Sequence, residues 1–159
     1  MTVLDDVRSA ARRASLWAQT LMRKVLKRTP PDAMTLIAQA ADGLLFSSEA
    51  DYPLKPFTWT DPVPFSPDAL PKLAGLPPSV PVAKEDFDAF FAPMLRLHEG
   101  ASPQARIRVA RYEKLVGLLR QYLSSLAVYK LGTVEMSAFV VGRLADGRFA
   151  GLRTTVVET

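Results

Sequence analysis

Apolar positions recur at helical spacing in four stretches of the chain and alternate with polar ones through its final third. In residues 4–28, a step of about 100° per residue puts Val7, Ala10, Ala14, Trp17, Ala18, Leu21 and Val25 on one arc. Arg12, Arg13, Arg23 and Lys27 fall opposite. This predicts a basic amphipathic helix with three open uses: packing on the domain, binding a membrane surface or partner, or serving as a targeting peptide. Asp5 and Asp6 weigh against the last. Thr29-Pro30-Pro31-Asp32 then ends one helix and starts another. Proline cannot continue a helix but suits the first turn of the next, and Thr29 can cap it. Met34, Ile37, Ala38 and Ala41 supply the second helix's buried stripe, and Gly43 is its expected terminator. The expected boundary lies here, between an extension (1–30) and a domain (31–159).

Residues 53–81 hold nine of the 13 prolines, which predicts an extended but ordered segment. Within it, Pro56 to Thr60 alternates like a strand, a short helical turn is expected at 67–74, and Val80 to Ala83 could form another strand. Glu85 to Leu95 reads as a helix, with Phe87, Phe90, Phe91 and Met94 at core spacing. Ser102-Pro103 caps and opens the clearest helix, which runs to about Leu123 with Leu115, Leu118, Leu119 and Tyr122 expected inside. Leu126 to Lys130 reads as a strand. Val134 to Leu144 and Phe149 to Val157 read as two arms of a hairpin around a two-residue Asp146-Gly147 turn. Glu158 and Thr159 are then expected to project from the end of a stiff strand.

Composition removes several classes of chemistry. The chain has no cysteine, which excludes disulfides, thiolate metal sites and cysteine nucleophiles. Its one histidine, His98, excludes a histidine cage. There is no glycine-rich phosphate loop, no G-x-S-x-G and no apolar run long enough to cross a bilayer. The expectation is a non-enzymatic protein without cofactor or bound metal, and the lack of cysteine permits a reducing compartment. The net charge of +4 is a misleading average. Residues 1–28 carry +5, residues 29–100 carry −6 and residues 101–159 carry +5. The basic character that would suggest nucleic acid thus belongs largely to the N-terminal segment, and the arginines of the long helix do not share one stripe. No direct contact with nucleic acid is expected. Two carboxylate clusters remain. Glu85, Asp86 and Asp88 sit where a helix start favours negative charge, and Glu49 and Asp51 sit in what reads as a loop.

The run from Ala41 to Pro53, followed by Phe57-Thr58-Trp59, resembles the opening of the nuclease A inhibitor family. The run from Ala150 to Thr159 resembles its ending, and Val128 to Gly132 and the arms around Asp146-Gly147 match its spacing. The resemblance covers about residues 32–159. It implies an α+β fold, a single three-layer α/β/α sandwich with a largely antiparallel sheet, here preceded by the N-terminal helix. It also implies a small intracellular, cytoplasmic protein that inhibits a sugar-nonspecific, metal-dependent DNA/RNA nuclease by blocking its active site. Carried over residue by residue, the family's metal-directed terminal threonine falls on Thr159 and its loop glutamate on Glu49. Glu158 and Glu49 would add negative potential toward the partner's site, and Asp51 is a further candidate contact. A gap-free reading puts Glu99 and Gly100 where the family has an Asp-Trp pair, so the acid is kept in kind and the aromatic is absent. The alternative is a non-catalytic interaction module of the same fold that uses residues 4–28 to meet a membrane or another partner.

Overall fold

The computed structural model describes residues 32–61 and 64–159. The amphipathic helix expected at 4–28 and the cap expected at Thr29 lie outside them. The fold is α+β, with helices and antiparallel sheets. Helix α1, Ala33–Ala41, buries Met34, Ile37 and Ala41. Gly43 follows with a φ of +75°, the left-handed conformation that ends a helix at no steric cost to glycine.

Residues 46–53, expected as a loop, instead form a small hairpin of β1 (Leu45–Ser47) and β2 (Asp51–Pro53). Strands β3 (Lys55–Thr58), β4 (Val82–Glu85), β5 (Ser124–Leu131), β6 (Glu135–Arg143) and β7 (Phe149–Val157) make a five-stranded sheet in the order β3-β7-β6-β5-β4, antiparallel throughout. Strand β4 starts two residues later than the sequence suggests, which puts Glu85 in the sheet rather than at the head of a helix.

The connection from β6 to β7 is also longer than expected. Arg143 pairs with Phe149, so residues 144–148 form the loop. Gly147 takes a φ of +90° and its N–H donates back to Leu144 O at 2.9 Å. Asp146 accepts from the Arg148 N–H at 3.0 Å, and this bond holds its carboxyl below the usual carboxylate range.

Strand β6 buries side chains on both faces, as a strand with apolar cover above and below must. Phe139 and Val141 join Leu70 and Leu131 in one cluster. Phe57, Phe65, Ala74, Leu76, Val80, Tyr129 and Phe149 pack around it. The proline-rich segment supplies much of that cover. Its expected turn is a 3-10 turn, Pro67–Ala69, capped by the Ser66 hydroxyl and running into α2, Leu70–Leu73. Ala138 and Val140 point to the opposite face and are fully buried. Helices α3 (Phe87–Leu95) and α4 (Pro103–Tyr122) pack on each other and on β5.

Side-chain caps start both helices. Asp86 accepts from Ala89 N at 3.0 Å and Ser102 accepts from Ala105 N at 3.1 Å. The buried stripe of α4 is Val109, Tyr112, Leu115, Val116 and Leu119; Leu118 and Tyr122, expected inside, are only half-buried.

Tyr112 ties α4 to the small hairpin. Its ring is fully buried against Phe91 and its hydroxyl donates to Leu45 O at 2.6 Å. Burial pushes the phenol's pKa up. Tyr112→Phe leaves that carbonyl without its donor and is expected to lower stability by about 1–2 kcal/mol with little change in sheet content. Chemical denaturation followed by circular dichroism checks this; an unchanged midpoint would contradict it.

Candidate functional site

The small hairpin hangs on an aromatic anchor. Phe46 stacks on Phe90 with ring centroids 4.4 Å apart and meets Phe91 edge-on at 6.3 Å. This places the connection Ser48-Glu49-Ala50 beside the end of β7. Ser48 donates from its hydroxyl to Ala50 O at 3.2 Å, which tightens the turn, and accepts from Val157 N at 2.9 Å. Glu49 N–H donates to Val157 O at 3.2 Å. One serine and one backbone amide thus staple the hairpin tip to the last residue of the sheet.

The chain beyond β7 does not simply project outward as expected. Glu158 N–H donates to Val134 O at 2.9 Å, which continues the β6–β7 ladder by one bond. Thr159 then turns to Glu49. Glu49 Oε1 accepts from Thr159 Oγ1 at 2.6 Å and from Thr159 N at 3.2 Å. Both residues stay exposed, so the pairing orients Thr159 without enclosing it. The side chain of Glu158 goes to Lys130, with Nζ to Oε1 at 2.8 Å.

Of the residues singled out in the sequence, the structure brings Glu49, Glu158 and Thr159 together. Asp51 opens β2 opposite Ser47 and lines a different hollow, with Leu45, Ile107, Arg108 and Arg111. Arg111 in turn donates to Ala40 O at 3.3 Å and to Asp42 O, closing the end of α1. Glu99 and Gly100 lie exposed in the turn between α3 and α4, with Gly100 at a φ of +73° and open space where a Cβ would stand. His98 lies in the same turn; its carbonyl accepts from Ala101 N at 3.1 Å.

Two residues that the sequence pattern did not single out build the site. Ser48 is the staple. Lys130 lines the same hollow as Glu49, Glu85, Phe90 and Glu158. A lysine inside an otherwise apolar strand, Val128-Tyr129-Lys130-Leu131, is the signal that could have drawn attention to it. Among the described residues no group of three or more histidine, cysteine, aspartate or glutamate side chains is disposed to hold a metal ion. Nor is any helix there long and apolar enough to cross a membrane.

The end of β7 thus leads into an exposed threonine gripped by a glutamate from the neighbouring hairpin. The chain belongs to the nuclease A inhibitor-like family: the family model described as Nuclease A inhibitor-like protein matches residues 32–159, the whole span from α1 through Thr159. That is a family of inhibitors rather than catalysts, and this protein is accordingly not an enzyme. No curated protein matches the chain.

Proposed function

We propose that this protein inhibits a sugar-nonspecific, metal-dependent nuclease by occupying its active site, with Thr159 and Glu49 as the central contacts. The observation that carries the reading is the pairing of those two residues, Oγ1 to Oε1 at 2.6 Å, in an exposed position past the end of β7 and within the family-matched span. A hard divalent ion such as Mg²⁺ takes oxygen ligands and phosphate groups. The Thr159 carboxylate would offer an anionic oxygen in place of a substrate phosphate, and the Glu49 contact aims it. An active site that binds a polyanion is electropositive, so Glu49 and Glu158 add complementary charge. Asp51 and Glu99 would meet the same partner further out. Residues 31–159 form the inhibitor domain in this reading, with the family's three-layer α/β/α sandwich. Burial on both faces of β6 supports that architecture.

A second reading is favoured by Gly100, where the family's aromatic anchor would fall. Here the domain is an interaction module and residues 4–28 meet a membrane or another partner. Two assays separate these readings. Plasmid digestion by a sugar-nonspecific nuclease in Mg²⁺ is expected to stop in the presence of excess protein. Undiminished digestion would reject inhibition. Liposome co-sedimentation that depends on residues 1–28 would then support the module.

A further inference from the structure

Lys130 projects from the middle of β5 into the hollow beneath the chain's last residues. Its side chain is 14% exposed, and its ammonium sits between two carboxylates. Nζ lies 2.8 Å from Glu85 Oε2 on the edge strand β4 and 2.8 Å from Glu158 Oε1 beyond the end of β7. The ring of Phe90 closes the remaining side, with its centroid 6.0 Å from Nζ. Glu85 Oε2 is itself buried with no aligned hydrogen-bond donor among the described residues, and the Lys130 ammonium is its ion-pair partner. Burial by itself would favour the neutral amine. The hydrogen bond to Glu158 and the ion pair with Glu85 outweigh it and raise the pKa, so the cation persists at neutral pH.

This arrangement differs from an ordinary surface ion pair, which two flexible side chains hold weakly in water. One cation, largely withdrawn from solvent, links a rigid sheet edge to the residue before Thr159. The other tethers of this segment are the Glu158 amide on Val134 and the Glu49 contacts to Thr159. Without Lys130, Glu85 and Glu158 would face each other as like charges, and the residue before Thr159 would lose its side-chain tether.

We propose that Lys130 is a positioning residue: it clamps Glu158 against Glu85 and thereby pre-sets Thr159 for docking. The clamp rests on the inhibitor reading for its purpose but not for its existence. Pre-setting matters because the apparent affinity of a segment falls in proportion to the fraction of time it spends in the competent arrangement. If that fraction drops about tenfold, the inhibition constant rises about tenfold with no contact to the partner removed.

Two readouts on the full chain test this. The first is release of Thr159 by a carboxypeptidase, followed by mass spectrometry, with no nuclease present. The second is the inhibition constant against a sugar-nonspecific nuclease. Lys130→Met is expected to speed Thr159 release and weaken inhibition, each by about tenfold, and Lys130→Arg to restore both. Glu158→Gln keeps the Lys130–Glu85 contact and covers the case in which Lys130→Met does not fold; it should speed release in the same direction. Equal release rates in the wild type and Glu158→Gln would overturn the clamp. Faster release from the variants, with a wild type that never inhibits, would uphold the clamp and reject the inhibitor reading.

Discussion

Gly151→Ala is expected to lower stability by about 3 kcal/mol, an overpacking cost at the upper end of the usual range. Gly151 lies inside β7, paired with Val141 of β6 on one side and Phe57 of β3 on the other. A Cβ built there would lie 1.7 Å from Val140 O, 2.8 Å from Val140 C and 3.3 Å from Val141 Cα. All three neighbours are backbone, so no change of rotamer relieves the overlap. The two central strands must separate locally, breaking ladder hydrogen bonds where both faces of β6 are packed. For a chain of this size the melting temperature should fall by roughly 10 °C. A thermal melt that shifts by less than about 2 °C would mean that β7 can move away from β6 without loss.

The second large effect concerns the paired residues beyond the end of β7. Removing Thr159 should weaken nuclease inhibition by about a hundredfold, the scale of losing one partner of a charged interface contact. Glu49→Ala should weaken it by roughly thirtyfold, as for a residue near an interface centre. The two losses should not add. Glu49 acts partly through Thr159, so once Thr159 is gone the glutamate retains only its own contact to the partner. Circular dichroism should be unchanged in both variants, because both residues are exposed and neither packs in the core. Full additivity would show that the glutamate does not orient the threonine.

Elements written in local chemistry were readable in the sequence. Ser102-Pro103 opens α4, Gly43 ends α1 and the Pro67-to-Ala74 turn lies where its residues place it, because caps and prolines act over a few residues. The inner face of α4 was harder to locate. Its cationic side chains are spread around the helix, and Tyr112, the residue that most needs burial, is followed by Glu113 and Lys114 rather than by an apolar run. Strands β1 and β2 have only three residues each, too short for alternation to emerge. Strand β5 starts before Leu126 with Ser124 and Ser125. Ser125 has a φ of +53°, and the register shifts between Ser124 and Ala127, so sidedness carries no signal there.

The site divides in the same way. Glu49 and Thr159 came from a family resemblance. Their contact joins residues 110 positions apart, and no pattern along the chain reports it. Lys130 is likewise defined by Glu85 and Glu158, which only the sheet brings within reach. Asp51 stands close to Glu49 in sequence, yet the hairpin turns it toward the arginines of α4 and away from Thr159. Sequence proximity and site membership part company wherever a strand reverses direction.

The most direct measurement is the inhibition constant of this protein against a sugar-nonspecific, Mg²⁺-dependent nuclease, set beside that of the same chain lacking Thr159. Tight inhibition by the first and about a hundredfold weaker inhibition by the second is the expected outcome. Equal inhibition by both, or none by either, would contradict an active site blocked through Thr159.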